Sequence, residues 1–304
     1  MKWRRSQRKQ NAKGVSVGLA LGGGGVRGLA HAGVLSVFAR ERVPVTAIAG
    51  SSMGAIVGAA YALNPDFSKE HMLQRVLDLG LSAPVGLKEA QHDNESWFRR
   101  LRQFIEAEKV IIDAALGWGM FPEKLVAEFL DGLTLGKQLD EGRVRLAVVS
   151  IDLLSGDKVV FRSGPATFAV QASSALPGFL PPVRHGSRLL ADGAFVDLVP
   201  VDVVREMDVD LVVAVDVDQE DVRVEVRNGL EAFLRAVELC ARHHKQHHLQ
   251  AADLVVRPDF GEPINPLDAS KAELCVEAGV RAAEAALPEL RSRLGGKASG
   301  PAGS

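Results

Sequence analysis

The chain has 304 residues, 47% of them apolar and 24% charged, with a formal net charge of −2 at pH 7. That length suits one large α/β domain or two small ones with a sizeable core. The near-neutral balance gives no general reason to expect nucleic acid as a partner. Cys240 and Cys275, the two cysteines, lie in helix-like stretches whose separation suits neither a disulfide framework nor a zinc site. Both are expected to be reduced and buried.

Residues 1–14 carry Lys2, Arg4, Arg5, Arg8, Lys9 and Lys13 with no acid. No apolar h-region follows, so this is read as a basic disordered tail and not as a secretory signal. Contact with anionic lipid is its sharper alternative. A strand is predicted over 15–21 and, beyond a run of glycines, a helix over 26–42 with Leu29, Val34, Leu35 and Phe38 on one face. Residues 43–65 lack charge, which superficially resembles a membrane span. Pro44 and Gly50-Ser51-Ser52 interrupt the stretch, so it reads as a buried strand (45–49), a tight turn and a helix (53–63).

Residues 79–120 fit the pattern least and read as a variable insertion over the sheet. With the adjoining Phe121, they place Trp97, Phe98 and Trp118 among charged residues, as core packing or as a lid facing a membrane. Helices are predicted over 123–130, 228–250 and 270–293, and strands over 144–151, 158–161, 211–217 and 254–256. The small residues of 294–304 suggest a flexible tail. Strands alternating with helices imply a mostly parallel central sheet covered by helices on both faces, in one domain over 15–293.

Three constellations carry chemistry. Gly50-Ser51-Ser52-Met53-Gly54 is a G-x-S-x-G between a predicted strand and helix. A nucleophilic serine needs its Oγ lifted off the sheet by a sharp turn, and flanking glycines leave room for it. The following helix directs its positive end at Ser52; the blander reading is a helix cap. The second is Gly22-Gly23-Gly24-Gly25-Val26-Arg27-Gly28. Clustered backbone N–H groups there would cradle an anion, which in an esterase is the tetrahedral oxyanion. Gly23, Gly25 and Gly28 also match the dinucleotide fingerprint. That motif wants an acid about 20 positions on, where this chain has Ile48-Ala49-Gly50-Ser51-Ser52. The third is Asp192-Gly193-Ala194, for which local evidence alone favours a simple Asp-Gly turn.

Together these blocks resemble the patatin-like phospholipase family. The likeness is carried by residues 23–35, from Gly23-Gly24-Gly25 to Leu35, by Gly50-Ser51-Ser52-Met53-Gly54-Ala55, and by Asp192-Gly193-Ala194 with Pro200 downstream. Residues 172–183, from Ala172-Ser173-Ser174-Ala175-Leu176-Pro177 to Val183, resemble the block before the family's catalytic aspartate. Residues 252–258 resemble the last strand of its small bacterial members, which are similar to the esterase domain of neuropathy target esterase. The resemblance implies a patatin-like three-layer sandwich and a Ser–Asp dyad of Ser52 and Asp192. It also implies an oxyanion hole at the N–H groups of Gly23, Gly24 and Gly25, and hydrolysis of lipid acyl esters without calcium. Arg27 is a candidate for orienting the loop or meeting a phosphate head group. Ala194 departs from the family's second glycine, and Asp197 stands where an asparagine is frequent.

The alternative of a Ser–Asp–His triad would draw on His243, His244, His247 and His248, which follow Asp192 in the order such hydrolases use. Their helical spacing favours a solvated helix face, and no nearby cysteine or acid completes a zinc set. His31 is expected to pack, and His185 is a reserve candidate. No cofactor and no metal are expected. The location read from these features is cytoplasmic, with peripheral membrane contact through the basic tail and aromatic insertion. An idle membrane-binding scaffold is the non-enzymatic alternative.

Overall fold

The computed structural model describes residues 15–81, 123–177, 179–219, 226 and 229–298. Expectations for 1–14, for residues 82–120 of the insertion and for 299–304 lie outside them.

The strands are β1 (Val17–Leu21), β2 (Val45–Ser51), β3 (Arg145–Asp152), β4 (Lys158–Phe161), β5 (Val183–His185), β6 (Arg188–Asp192), β7 (Leu211–Val215) and β8 (Leu254–Val256). They form one sheet in the order β5-β6-β3-β2-β1-β7-β8, with β4 also paired to β3. The run β3-β2-β1-β7-β8 is parallel, whereas β4, β5 and β6 join antiparallel. The helices are α1 (Ala30–Arg40), α2 (Met53–Leu63), α3 (Lys69–Leu81), α4 (Glu123–Thr134), α5 (Ala166–Ser174), α6 (Val201–Arg205), α7 (Gly229–Leu249) and α8 (Ala272–Ala298).

Both sheet faces are buried, which is why the central strands are apolar without alternation. Val17, Leu19, Leu21, Ile48 and Val213 join α1, α2 and α8 in one core. Ala20, Ala47, Ala49, Val212 and Ala214 face Val201, Val203 and Val204 of α6 and Leu249 of α7 in a second. Small residues let the helices lie close. A Cβ on Gly18 would meet Val204 at 2.3 Å, and one on Gly279 of α8 would meet the Ala30 carbonyl oxygen at 1.9 Å.

The predicted mostly parallel sheet with helices on both faces is found, with its antiparallel extension at the β6 edge. α3, α5, α6 and β5 lie where no element is predicted, and three further details differ. The helix predicted over 26–42 opens as a 3-10 turn (Gly25–Leu29), because Gly25 at φ 57° enters it from a left-handed conformation. The helix predicted to end at Arg293 continues to Ala298, into the stretch read as a flexible tail. Cys240 is exposed on α7, whereas Cys275 is buried and its thiol pushed up to about 12 by burial.

Candidate active site

β2 ends at Ser51 and α2 begins at Met53, so Ser52 alone makes the turn. Both flanking glycines are dictated by space. A Cβ on Gly50 would sit 2.5 Å from the Ala55 nitrogen, and one on Gly54 would sit 2.1 Å from the Leu21 carbonyl oxygen. Ser52 itself takes φ 53° and ψ −125°, a conformation that costs a non-glycine residue about 1–3 kcal/mol. Hydrogen bonds hold it there. Its N–H donates to Ser173 Oγ at 3.0 Å, and its carbonyl accepts from the N–H groups of Ala55 and Ile56 at 2.9 and 3.1 Å. On its other side, Ser51 Oγ donates to the Asp197 carbonyl at 2.6 Å.

Asp192 arrives at the end of β6, beside Ser150 of β3. The next residue must be glycine, since a Cβ on Gly193 would meet the Val149 carbonyl oxygen at 2.1 Å. Ser52 Oγ donates to Asp192 Oδ2 at 2.8 Å, and the Ala194 N–H donates to Oδ1 at 2.8 Å. The residue is 3% exposed. Burial pushes its carboxyl up to about 6, against the opposing pull of the Ala194 N–H and the Ser52 hydroxyl.

The glycine loop abuts this pair. A Cβ on Gly23 would lie 3.0 Å from Ala194 Cβ and 3.2 Å from Ser52 Cβ. The Gly23 N–H, however, donates to the Leu198 carbonyl at 3.0 Å. The N–H groups of Gly24 and Gly25 donate to no described residue. Gly25 is irreplaceable twice over, by its φ of 57° and by the Pro266 carbonyl oxygen 2.2 Å from where a Cβ would be. Arg27 braces the loop: its Nε donates to the Gly24 carbonyl at 3.4 Å, and its Nη1 lies 3.6 Å from Asp218 Oδ1. Asp218 also pairs with Arg242 and the buried Lys245, each at 3.1 Å. Burial of Asp218 is outweighed by Lys245, Arg27 and Arg242, which hold its carboxyl down at about 2. Beneath the loop, His31 Nε2 lies 2.7 Å from the Gly22 carbonyl oxygen. An acceptor-only partner puts the proton on Nε2, and burial drives the imidazole down to about 4, so His31 packs as a neutral ring.

The histidine cluster is not uniformly a solvated face. His243, His244 and His247 are exposed, but His248 Nδ1 lies 2.9 Å from Asp197 Oδ1 and 3.9 Å from Asp202 Oδ1. An acid does therefore meet the cluster, brought by the turn after β6. Asp197, Asp202 and His248 offer metal-ligand atoms within 4.8 Å of one another. Lys158 Nζ already bridges the two carboxylates at 3.0 and 2.6 Å, so an ammonium supplies the positive charge a metal would bring. Burial pushes the Asp197 carboxyl up to about 6, with Lys158 opposing. No described histidine bonds Ser52 or Asp192. His185 packs on Phe161 and Phe168, at the far end of β6 from Asp192. The sequence marks Asp197 as a departure and Ser173 only within a family-like block, and nothing in it points to Lys158 as a partner of the site.

Residues 19–205 match the family model described as patatin-like phospholipase. An uncharacterized NTE family protein of Mycobacterium tuberculosis is 30% identical over 308 aligned residues, covering 90% of this chain and 47% of the relative. A patatin-like phospholipase domain-containing protein of Caenorhabditis elegans is 31% identical over 212 residues, covering 67% of this chain and 14% of the relative. This chain thus spans about half the length of the mycobacterial relative or less of longer ones. Among solved structures, human GIVD cytosolic phospholipase A2 aligns with a TM-score of 0.44 at 12% identity, covering 93% of this chain and 63% of that one. VipD from Legionella pneumophila aligns at 0.43 and 14%, covering 90% and 67%.

Proposed function

The chain belongs to the patatin-like phospholipase family, and we propose that it is a serine esterase hydrolysing the acyl esters of phospholipid or lysophospholipid through a Ser52–Asp192 dyad. The observation that carries the proposal is the 2.8 Å hydrogen bond from Ser52 Oγ to a buried carboxylate with no histidine between them.

Ser52 Oγ attacks the ester carbonyl carbon while its proton passes to Asp192 Oδ2. A carboxylate of ordinary acidity is a weak base toward an alcohol. Burial, by raising Asp192 to about 6, moves it toward the pKa that suits a general base. The oxyanion is received by the N–H groups of Gly24 and Gly25, since that of Gly23 is spent on Leu198. This narrows the hole expected from Gly23, Gly24 and Gly25. The positive end of α2 adds to the same field. Asp192 then returns the proton to the leaving alcohol, and water, deprotonated by the same carboxylate, cleaves the acyl-enzyme.

Arg27 acts in this reading by orienting the loop through the Gly24 carbonyl. Among the described residues no helix is long and apolar enough to cross a membrane. The substrate would be met at a surface, with residues 1–14 and 79–120 as the proposed contacts.

Release of fatty acid from lysophospholipid and from diacyl phospholipid, followed against pH with and without calcium chelator, tests this function. Turnover indifferent to chelation, with an acid limb near pH 6, supports it. No release from either lipid under any condition would refute it.

A further inference from the structure

The stretch Ala172-Ser173-Ser174-Ala175 has a family likeness but no role in the chemistry above. It lies where α5 ends. Ser173 is fully buried, and its Oγ accepts the backbone N–H of Ser52 at 3.0 Å. Two residues on, the Ala175 carbonyl accepts the backbone N–H of Asp192, also at 3.0 Å. One turn of chain therefore holds the main chain of both residues whose side chains meet at 2.8 Å. β3 braces that turn from beneath: Ser150 Oγ donates to the Ala191 carbonyl at 2.6 Å and lies 3.4 Å from the Ala172 carbonyl oxygen.

The two contacts differ in what they oppose. Asp192, the last residue of β6, has φ −52° and ψ 126°, a negative φ that any residue adopts, so its amide opposes no left-handed strain. Ser52 is in a conformation that non-glycine residues avoid (φ 53°, ψ −125°). Its amide must be satisfied in that conformation or the turn relaxes, and relaxation carries Oγ away from Asp192. Because the amide is engaged by Ser173, it is also withheld from any oxyanion.

We infer that the end of α5 is a clamp fixing the spacing of Ser52 and Asp192, with Ser173 as its positioning residue; the inference rests on the esterase reading above. The hydrogen bond of Ser173 Oγ is to the Ser52 main chain, not to Ser52 Oγ or to the Asp192 carboxylate. Its loss should therefore show in the geometry of the pair. The Ser52 hydroxyl bond pulls the Asp192 carboxyl down against burial, so a loosened pair takes up its proton at higher pH.

The test compares wild type, Ser173→Ala, Ser173→Cys and Ser52→Ala on a short p-nitrophenyl ester across pH. Ser173→Ala should lose about 10- to 100-fold in kcat, the scale of a misplaced reacting group. Its KM should be nearly unchanged, and its acid limb should move to higher pH. Ser173→Cys, whose sulfur is a weak acceptor, should fall between, and carries the test if Ser173→Ala does not fold. A folded Ser173→Ala with wild-type kcat, or with reduced kcat and an unmoved acid limb, overturns the clamp. Activity surviving in Ser52→Ala would instead overturn the reading on which the clamp stands.

Discussion

Asp192 and Asp197 lie five residues apart on one turn, and both are buried. Asp197 has Lys158 Nζ at 3.0 Å and His248 Nδ1 at 2.9 Å. Asp192 has a serine hydroxyl and a backbone N–H. Company decides their roles. A carboxylate locked to an ammonium is a structural charge, whereas one facing only a hydroxyl can exchange a proton with it.

That contrast has a cost that stability measurements can read. The Asp192 carboxyl sits at about 6 in the fold against 3.8 when unperturbed. Its folded form binds the proton more tightly than the unfolded chain does. The associated stability is fully present below the unperturbed value and is lost as pH rises through about 6. Relative to Asp192→Asn, wild type should be less stable at pH 8 than at pH 4 by roughly 2–3 kcal/mol. Denaturant unfolding of both proteins across that range checks it, since Asp197 and the other acids cancel in the comparison. The same variant should lose about 10²–10⁴-fold in esterase kcat.

The proposed oxyanion hole can be probed apart from the nucleophile. Gly25→Ala would place a methyl 2.2 Å from the Pro266 carbonyl oxygen at a φ of 57°. The loop must move, and with it the N–H groups of Gly24 and Gly25. Loss of one oxyanion donor costs about 10²–10³ in kcat, so a drop of at least that size is expected. Fluorophosphonate labelling of Ser52 should slow in parallel, as phosphonylation would use the same proposed hole.

Gly54→Ala is a test of the turn itself. Its methyl would fall 2.1 Å from the Leu21 carbonyl oxygen, a backbone atom of a central strand. Overpacking of this kind costs about 1–3 kcal/mol or more, and thermal unfolding should move down accordingly. A variant of unchanged Tm would show that β1 and α2 are not as close as described.

His248→Ala separates a dyad from a triad. Removing the imidazole deprives Asp197 of a partner 2.9 Å away, and an unsatisfied buried acceptor costs about 1–3 kcal/mol of stability. Esterase kcat measured on the folded variant should stay within a few-fold of wild type. Replacing His243, His244, His247 and His248 together should give the same result, because none bonds the Ser52–Asp192 pair.

What the sequence made legible follows from range. The G-x-S-x-G turn is local, so β2 and α2 (Met53–Leu63) could be read from glycine spacing and apolar runs. Asp192 lies 140 residues from Ser52. Only the likeness of separated blocks, not its own Asp-Gly context, distinguishes it from a turn. α5 escaped because its buried stripe of Ala166, Ala169, Val170 and Ser173 is made almost wholly of small residues, too weak an apolar signal to count, and with it went the role of Ser173. The Asp197–His248 contact escaped for the same reason of distance. The i,i+4 histidines announced a helix face, but nothing nearby in the chain told which way that face turned. Gly23 could be counted among glycines, yet only the Leu198 carbonyl reveals that its N–H is spent.

The central claim is that Ser52 is the nucleophile. Its most direct test is covalent labelling by a fluorophosphonate, followed by peptide mapping of wild type and Ser52→Ala and assay of both on a short acyl ester. The account predicts one adduct, on Ser52, with hydrolysis and labelling both abolished in the variant. An adduct on another residue, or hydrolysis persisting in Ser52→Ala, would contradict it.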